Sequence, residues 1–473
     1  MIKRLMIIGL LLWFSYVQLS FYTSASQTHL AIRPQKTVDI VRFDNGVLKT
    51  KTIQYANGDK YWMKSVEFSN SKQVPYTIDI PLKGKNGTFR FVEKRGQAKV
   101  WRHLPLAQAL PKATGFLETN GQHILISSPD IYTKQPYGTL EEKENPLPTK
   151  ILQTAQGYVI RVQFPQKRST TVEIWALESK QPLVEWKSNP NLAKIWLTLD
   201  LHLDQKWSWD GFYVRTPHSY RPYSPNMFWR LPTNYALNSF LITGGSRAAE
   251  DLGWMMLDTI LPNQNADGYW ETQPRSEWLW KEYGITAGFY DTRFNTDIAT
   301  LLLKGYQKYR HEEFYRSAQI YSGWLLKHIE QNHYVVHGKE EGWLAADYSG
   351  KTPHIMTHVS LNHQLQEMNF LYHMYLQSRL DTYKQYADKL LHGVKNTKKK
   401  WIKPNHDLHY AYLNNGQMGL PDYPYLTYND LVESQILLKK INGAPDPDLA
   451  ELMASKKRWM DQHKIHGYRK VTF

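Results

Sequence analysis

At 473 residues and 42% hydrophobic content, with a mean hydropathy of −0.55, the chain is too long for one ordinary compact domain and too polar for a bundle of membrane spans. It has no cysteine, which excludes disulfides and thiolate metal sites and leaves stability to the cores alone. The net charge of +15 favours an anionic partner, but zinc-finger spacing, RNP-type motifs and basic heptad helices are missing, so nucleic acid is not the partner expected.

The first segment reads as an address. Lys3 and Arg4 precede the apolar run Leu5 to Val17, and the small-residue patch Thr23-Ser24-Ala25-Ser26 follows. That order predicts a signal peptide or an uncleaved N-terminal membrane anchor over residues 1–26. Either way the positive flank sends the rest outward, so the body is expected to be extracytoplasmic, secreted or anchored to the outer face of the cell membrane.

Residues 35–203 carry short alternating runs such as VDIVRF, GTFRFVEK and TTVEIWALES. Asn45-Gly46, Asn57-Gly58, Asn86-Gly87 and Asn120-Gly121 punctuate them, and Asn-Gly is the strongest short hairpin signal. An antiparallel β-sandwich-like domain is expected there. Residues 204–232 are dense in aromatics, Arg and Pro and read as a linker laid along a surface.

From residue 233 to 467 the hydrophobic period becomes helical. Helical hairpins are expected over 295–331, 358–396 and 428–462, which predicts an (α/α) toroid or incomplete barrel. In such a fold, polar residues at helix starts face a common cleft. Three starts stand out: Tyr290 to Asn295, His358 to Gln364, and the loops holding His406, His409, Tyr410, Tyr412, Tyr423, Tyr425, Tyr428 and Asp430.

The third start has the most specific pattern. Tyr410 and Tyr412 lie before Gly419-Leu420-Pro421, then come Tyr425 and Tyr428, the helix LVESQILL, and Arg458-Trp459. This C-terminal stretch resembles the C-terminal domain of the D-glucuronyl C5-epimerases. It departs from that family where Asn429, rather than a His, follows Tyr428. The resemblance implies abstraction of the weakly acidic C5 proton of a uronate in an anionic polysaccharide. Tyr412, Tyr428 and Tyr410 are then the candidate proton carriers. Arg293 would hold the carboxylate, assisted by Asn362 and His363, with Tyr425 and Tyr290 lining the substrate. A tyrosine ionises near pH 10 unless its surroundings help, so a cationic environment is expected around the phenols.

Other readings stay open at this point. Each tyrosine is a natural core residue, His363 fits a buried packing role, and Arg293 can simply pair with Asp297. Lyase chemistry needs an acid at the leaving oxygen. Glu271, Asp291, Asp430 and Glu433 are available for a hydrolase pair. Binding of an anionic glycan without catalysis is the third alternative. No cofactor is called for, although a divalent cation is left open. His311-Glu312-Glu313 lacks the second His of a zincin helix, and Asp204 and Asp210 lack calcium-loop spacing.

Overall fold

The computed structural model describes residues 33–96, 98–106, 109–187, 192, 195–196 and 204–470. The leader expected over 1–26 lies outside them. Among the described residues no helix is long and apolar enough to cross a membrane. The described residues divide into two compact units, one of 33–263 with Gly305–His311, the other of Gln264–Lys304 and 312–470.

The first unit is antiparallel β. Its strands start as a meander of Gln35–Phe43, Gly46–Gln54 and Lys60–Phe68, with Phe43 opposite Gly46 and Gly46 opposite Phe68. Glycine is required at the tight Asn45-Gly46 turn: a Cβ there would meet the Glu67 carbonyl oxygen at 2.1 Å. The meander joins a 13-stranded sheet, and a second sheet of four strands contains Lys72–Lys83, Gly157–Gln166, Thr149–Thr154 and Ala109–Leu110. Alternate residues of both sheets make one core, with Val66, Phe89 and Val172 from the larger meeting Ile80, Ile160 and Phe164 from the smaller. That is the sandwich-like arrangement expected from the period-2 pattern.

The stretch read as a linker folds differently. Gln205–Ser208, Gly211–Arg215 and Met227–Arg230 are strands of the large sheet, and Phe228 and Trp229 are fully buried. The proline density that suggested a linker sits in the connection between the last two, at Pro217, Pro222 and Pro225. The helices α1 (Tyr235–Ile242) and α2 (Arg247–Ile260) also belong to this unit rather than to the helical one. Ser246 caps α2 by accepting from the Ala249 amide at 3.2 Å. The Tyr55 hydroxyl donates to the Asp251 carbonyl at 2.7 Å and ties α2 to the sheet.

The second unit is helical. After α3 (Glu277–Tyr283) come α4 (Thr292–Tyr309), α5 (Glu312–Gln331), α6 (Leu361–Ser378), α7 (Asp381–Asn396), the single turn α8 (Lys398–Trp401), α9 (Leu426–Asn442) and α10 (Pro447–Gln462). The three expected hairpins are therefore α4–α5, α6–α7 and α9–α10. Their turns follow local chemistry. Arg379 takes a left-handed backbone (φ 63°) after α6, Gly443 does so (φ 82°) after α9, and Asp446 caps α10 ahead of Pro447.

The hairpins stack side by side. Thr296 of α4 hydrogen-bonds the Tyr321 hydroxyl of α5 at 2.8 Å, and Tyr321 packs on Phe370 of α6. Helix α6 packs on α7 and α9, and α9 on α10. The starts of α4, α6 and α9 converge at one end, as in an incomplete (α/α) barrel. The fold class is thus antiparallel β-sandwich-like followed by (α/α).

Candidate active site at the helix starts

Short strands bring the helix starts together. Tyr290 and Asp291 pair antiparallel with Ser349 and Tyr348, so the Asp347 backbone lies beside the head of α4. Asp291 caps that head, accepting from the Phe294 amide at 2.9 Å. Val359 and Ser360, just before α6, pair with Tyr412 and Ala411, which carries the strand His409–Tyr412 to the same place.

Asp347 is the hub. Its side chain is fully buried, accepts from the Ser360 amide at 2.8 Å and hydroxyl at 2.5 Å, and lies 3.3 Å from His358 Nε2 and 3.7 Å from His363 Nδ1. Burial raises its carboxyl, but His363, His358 and Ser360 outweigh that and hold it below the ordinary carboxylate range. His358 Nδ1 sits 2.9 Å from the Tyr283 hydroxyl, and its ring is surrounded by Trp278, Tyr348 and Tyr410 at 5.2, 5.7 and 6.1 Å.

His363 occupies the first turn of α6. Its Nδ1 lies 2.8 Å from the Thr292 hydroxyl. Burial drives the imidazole down to about 4, Asp347 opposing and Arg293 and His358 adding to the shift, so His363 is neutral at pH 7. Tyr410 moves the other way. Burial and the nearby Tyr423, Asp347 and Asp291 push its phenol well above 10, so it keeps its proton.

Arg293 is heavily engaged. It donates through Nε to Asp297 at 3.0 Å, through Nη1 to Asp430 at 2.6 Å and to the Asn362 carbonyl at 3.1 Å, and through Nη2 to Asp430 at 3.3 Å. These bonds tie the heads of α4, α6 and α9. Burial pushes the Asp430 carboxyl up to about 7 against the pull of Arg293. Burial likewise takes Asp291 to about 7. Asn362 is buried, and its Oδ1 has no partner.

The expected residues therefore separate into groups. Arg293, Asn362, His363 and Tyr410 gather around Asp347 and Asp430. Tyr412 lies two residues along the strand from Tyr410, its ring 5.6 Å from Tyr334 with Lys400 Nζ 5.9 Å above it. Tyr428 packs edge-on against Tyr468 at 5.4 Å. Tyr425 stands just before α9. Tyr290 is only 1% exposed and shares a 2.9 Å hydrogen bond with Tyr321, which withholds it from any solute. The cationic surroundings expected around the phenols are not found at Tyr410, where carboxylates prevail.

Sequence reasoning did not single out Asp347, Tyr283 or Tyr334. Nothing in Ala345-Ala346-Asp347-Tyr348 distinguishes that acid from any turn residue; only the tertiary pairing does. Among the described residues no group of three or more His, Asp or Glu side chains is arranged to hold a metal ion.

No protein-family model matches the chain, and no curated protein sequence matches it. Solved structures do. A D-mannose isomerase aligns with TM-score 0.36 and 15% identity over 48% of this chain and 58% of its own. A family 76 glycoside hydrolase from a bovine Bacteroides thetaiotaomicron strain aligns with TM-score 0.38 and 10% identity over 91% of this chain and 78% of its own. An inactive variant of an alpha-1,6-mannanase of Salegentibacter sp. HEL1_6, in complex with alpha-1,6-mannotriose, aligns with TM-score 0.36 and 13% identity over 53% and 65%. This chain thus spans little more than half the length of the isomerase. Similarity this shallow assigns neither a family nor a reaction.

Proposed function

We propose that the chain is an extracytoplasmic polysaccharide-modifying enzyme that works by proton transfer at a sugar carbon, resembling the D-glucuronyl C5-epimerases. One observation carries this reading: burial pushes two groups beside Asp347 in opposite directions, leaving His363 a neutral base and Tyr410 a protonated acid at pH 7. Abstraction of a C5 proton needs a base, and its return on the opposite ring face, or protonation of a leaving O4 in a lyase, needs an acid. His363 Nε2 would take the proton and Tyr410 would supply one.

A uronate carboxylate must also be neutralised for C5 to acidify. Arg293 is the guanidinium at hand, although Asp297 and Asp430 already hold it. With its carboxyl near 7, Asp430 can take up a proton and yield its place to a substrate carboxylate. The net charge of +15 supports an anionic polymer as the substrate.

Hydrolysis is the second reading, favoured by one fact: Asp291, held up to about 7, is a carboxylic acid still partly protonated near neutrality. Its Oδ1 is already occupied by the Phe294 amide, which places proton transfer by His363 and Tyr410 ahead.

The test is incubation of the soluble chain with a panel of uronate polymers in heavy water, with C5 followed by NMR. Deuterium at C5 that disappears in His363→Gln supports the proposal. New reducing ends without deuterium or unsaturation would replace it with hydrolysis, and binding with neither product would leave a glycan-binding protein.

A further inference from the structure

The segment Pro421-Asp422-Tyr423-Pro424 leads from the last short strand toward α9. Its backbone is constrained on both sides of Tyr423. Pro421 fixes its own φ and lies opposite His409 in the ladder. Pro424 confines the residue before it to extended conformations, and that residue is Tyr423. Between them Asp422 is tied to α9, its Oδ1 accepting from the Thr427 hydroxyl at 2.6 Å.

This pedestal holds a ring in the open. Tyr423 is 39% exposed, and among the described Trp, Tyr and Phe residues of the helical unit only Trp280 is more so, with the Arg275 guanidinium 4.5 Å over its ring. A lone exposed ring is ordinary on a protein surface. Tyr423 differs in what it touches. Its ring packs edge-on against Tyr410 at 5.7 Å and 76°, and Tyr410 in turn neighbours His358 at 6.1 Å. The rings thus run from the Asp347 hub outward, with Tyr423 the outermost. A flat aromatic face suits the C–H-bearing face of a pyranose, because the negative π face attracts those hydrogens and apolar area leaves water.

We infer that Tyr423 is a stacking platform, a subsite for the pyranose that adjoins the uronate placed at Tyr410. The constrained backbone lowers the cost of binding, since little freedom remains to be lost there. The inference deepens the proposed function and rests on it for the sugar at Tyr410, but stacking on Tyr423 can be read from binding without any reaction.

The experiment titrates the full chain with tetragalacturonate and with a tetrasaccharide of alternating glucuronate and N-acetylglucosamine, followed by calorimetry and proton NMR. The parent should bind at least one of them, with sugar C–H signals moved upfield by a ring current. Tyr423→Phe keeps the ring and should keep both the upfield shift and the affinity, within about twofold. Tyr423→Ala should abolish the shift and weaken binding roughly 10-fold, the upper range for an aromatic contact. Tyr423→Leu, with apolar bulk and no ring, should also lose the shift and covers the case in which Tyr423→Ala fails to fold. A parent that binds neither probe, a ringless variant that keeps the shift or the parent's affinity, or a Tyr423→Phe as weak as the ringless variants overturns the inference. Binding and shift that depend on the Tyr423 ring, without deuterium at C5, would instead count against the proposed reaction alone.

Discussion

The helical unit contains two buried ionic clusters that are built on opposite terms. In one, Lys456 is fully buried with Nζ 2.6 Å from Asp407 and 2.7 Å from Asp422, while the Thr427 hydroxyl donates to Asp422 at 2.6 Å. Lys403 Nζ also stands 3.3 Å from Asp407, so two cations meet two carboxylates, and the Trp459 ring lies under the Lys456 ammonium at 4.5 Å. In the other, Asp347 meets two imidazoles, yet Asn362 Oδ1 and both oxygens of Glu367 have no hydrogen-bond partner among the described residues. A closed cluster locks loops to a helix. An open one retains groups whose partners are still to come, as expected where chemistry is done.

Substitutions can break this contrast. The largest effect is expected at the open cluster: His363→Gln should lower turnover about 10²–10⁴-fold, the usual worth of a positioned acid–base group, while the melting temperature stays close to the parent's. Steady-state rates with calorimetry check both halves, and a large loss of stability would remove the distinction. At the closed cluster the reverse is expected. Lys456→Met should cost about 3–5 kcal/mol in urea unfolding, because buried Asp422 loses its counter-charge and Asp407 keeps only Lys403. Rates per folded molecule should change little.

A third prediction uses pH. The Asp291 carboxyl is raised from 3.8 to about 7 in the folded chain. Its contribution to stability is therefore complete below pH about 4 and is lost as pH rises through about 7. Asp291→Asn, which can still cap α4, should gain on the parent progressively across that window and no further above it, by up to about 4 kcal/mol at 1.36 kcal/mol per unit. Unfolding midpoints at several pH values measure this. A gap between the two proteins that does not vary with pH would mean that Asp291 ionises normally. The smallest effect is expected from Tyr428→Phe. The ring packs edge-on against Tyr468, so activity and stability should stay within about 0.5 kcal/mol of the parent, whereas Tyr410→Phe should lower turnover by no more than His363→Gln does.

The helical hairpins were legible because caps, breaks and 3.6-residue periodicity agree locally. The observed α4–α5, α6–α7 and α9–α10 span 292–331, 361–396 and 426–462, against the expected 295–331, 358–396 and 428–462. The heads of α4 and α6 were legible as polar helix starts for the same reason. Residues 204–232 were misread because aromatics beside prolines look alike in a linker and in strands bounded by loops; only the partner strand Thr139–Lys143, against which Met227–Arg230 pairs, tells them apart. Asp347 was invisible for a related reason. Its importance comes from what is brought near it across the unit, and a sequence pattern records only what is adjacent along the chain.

The ladder beside α6 has one more implication. Val359 faces Tyr412 and Ser360 faces Ala411, while Ala411 also faces Gly419 on the far side. Side chains alternate along a strand, so a shift of one position in this pairing would turn His409 and Ala411 toward His358 and rotate Tyr410 away. Tyr410 is thus aimed by backbone register, not by the rings around it. An added or deleted residue in the segment 403–408, which leads into the strand, is the change to which its aim would be most sensitive, even though that segment contributes no group to the Asp347 cluster.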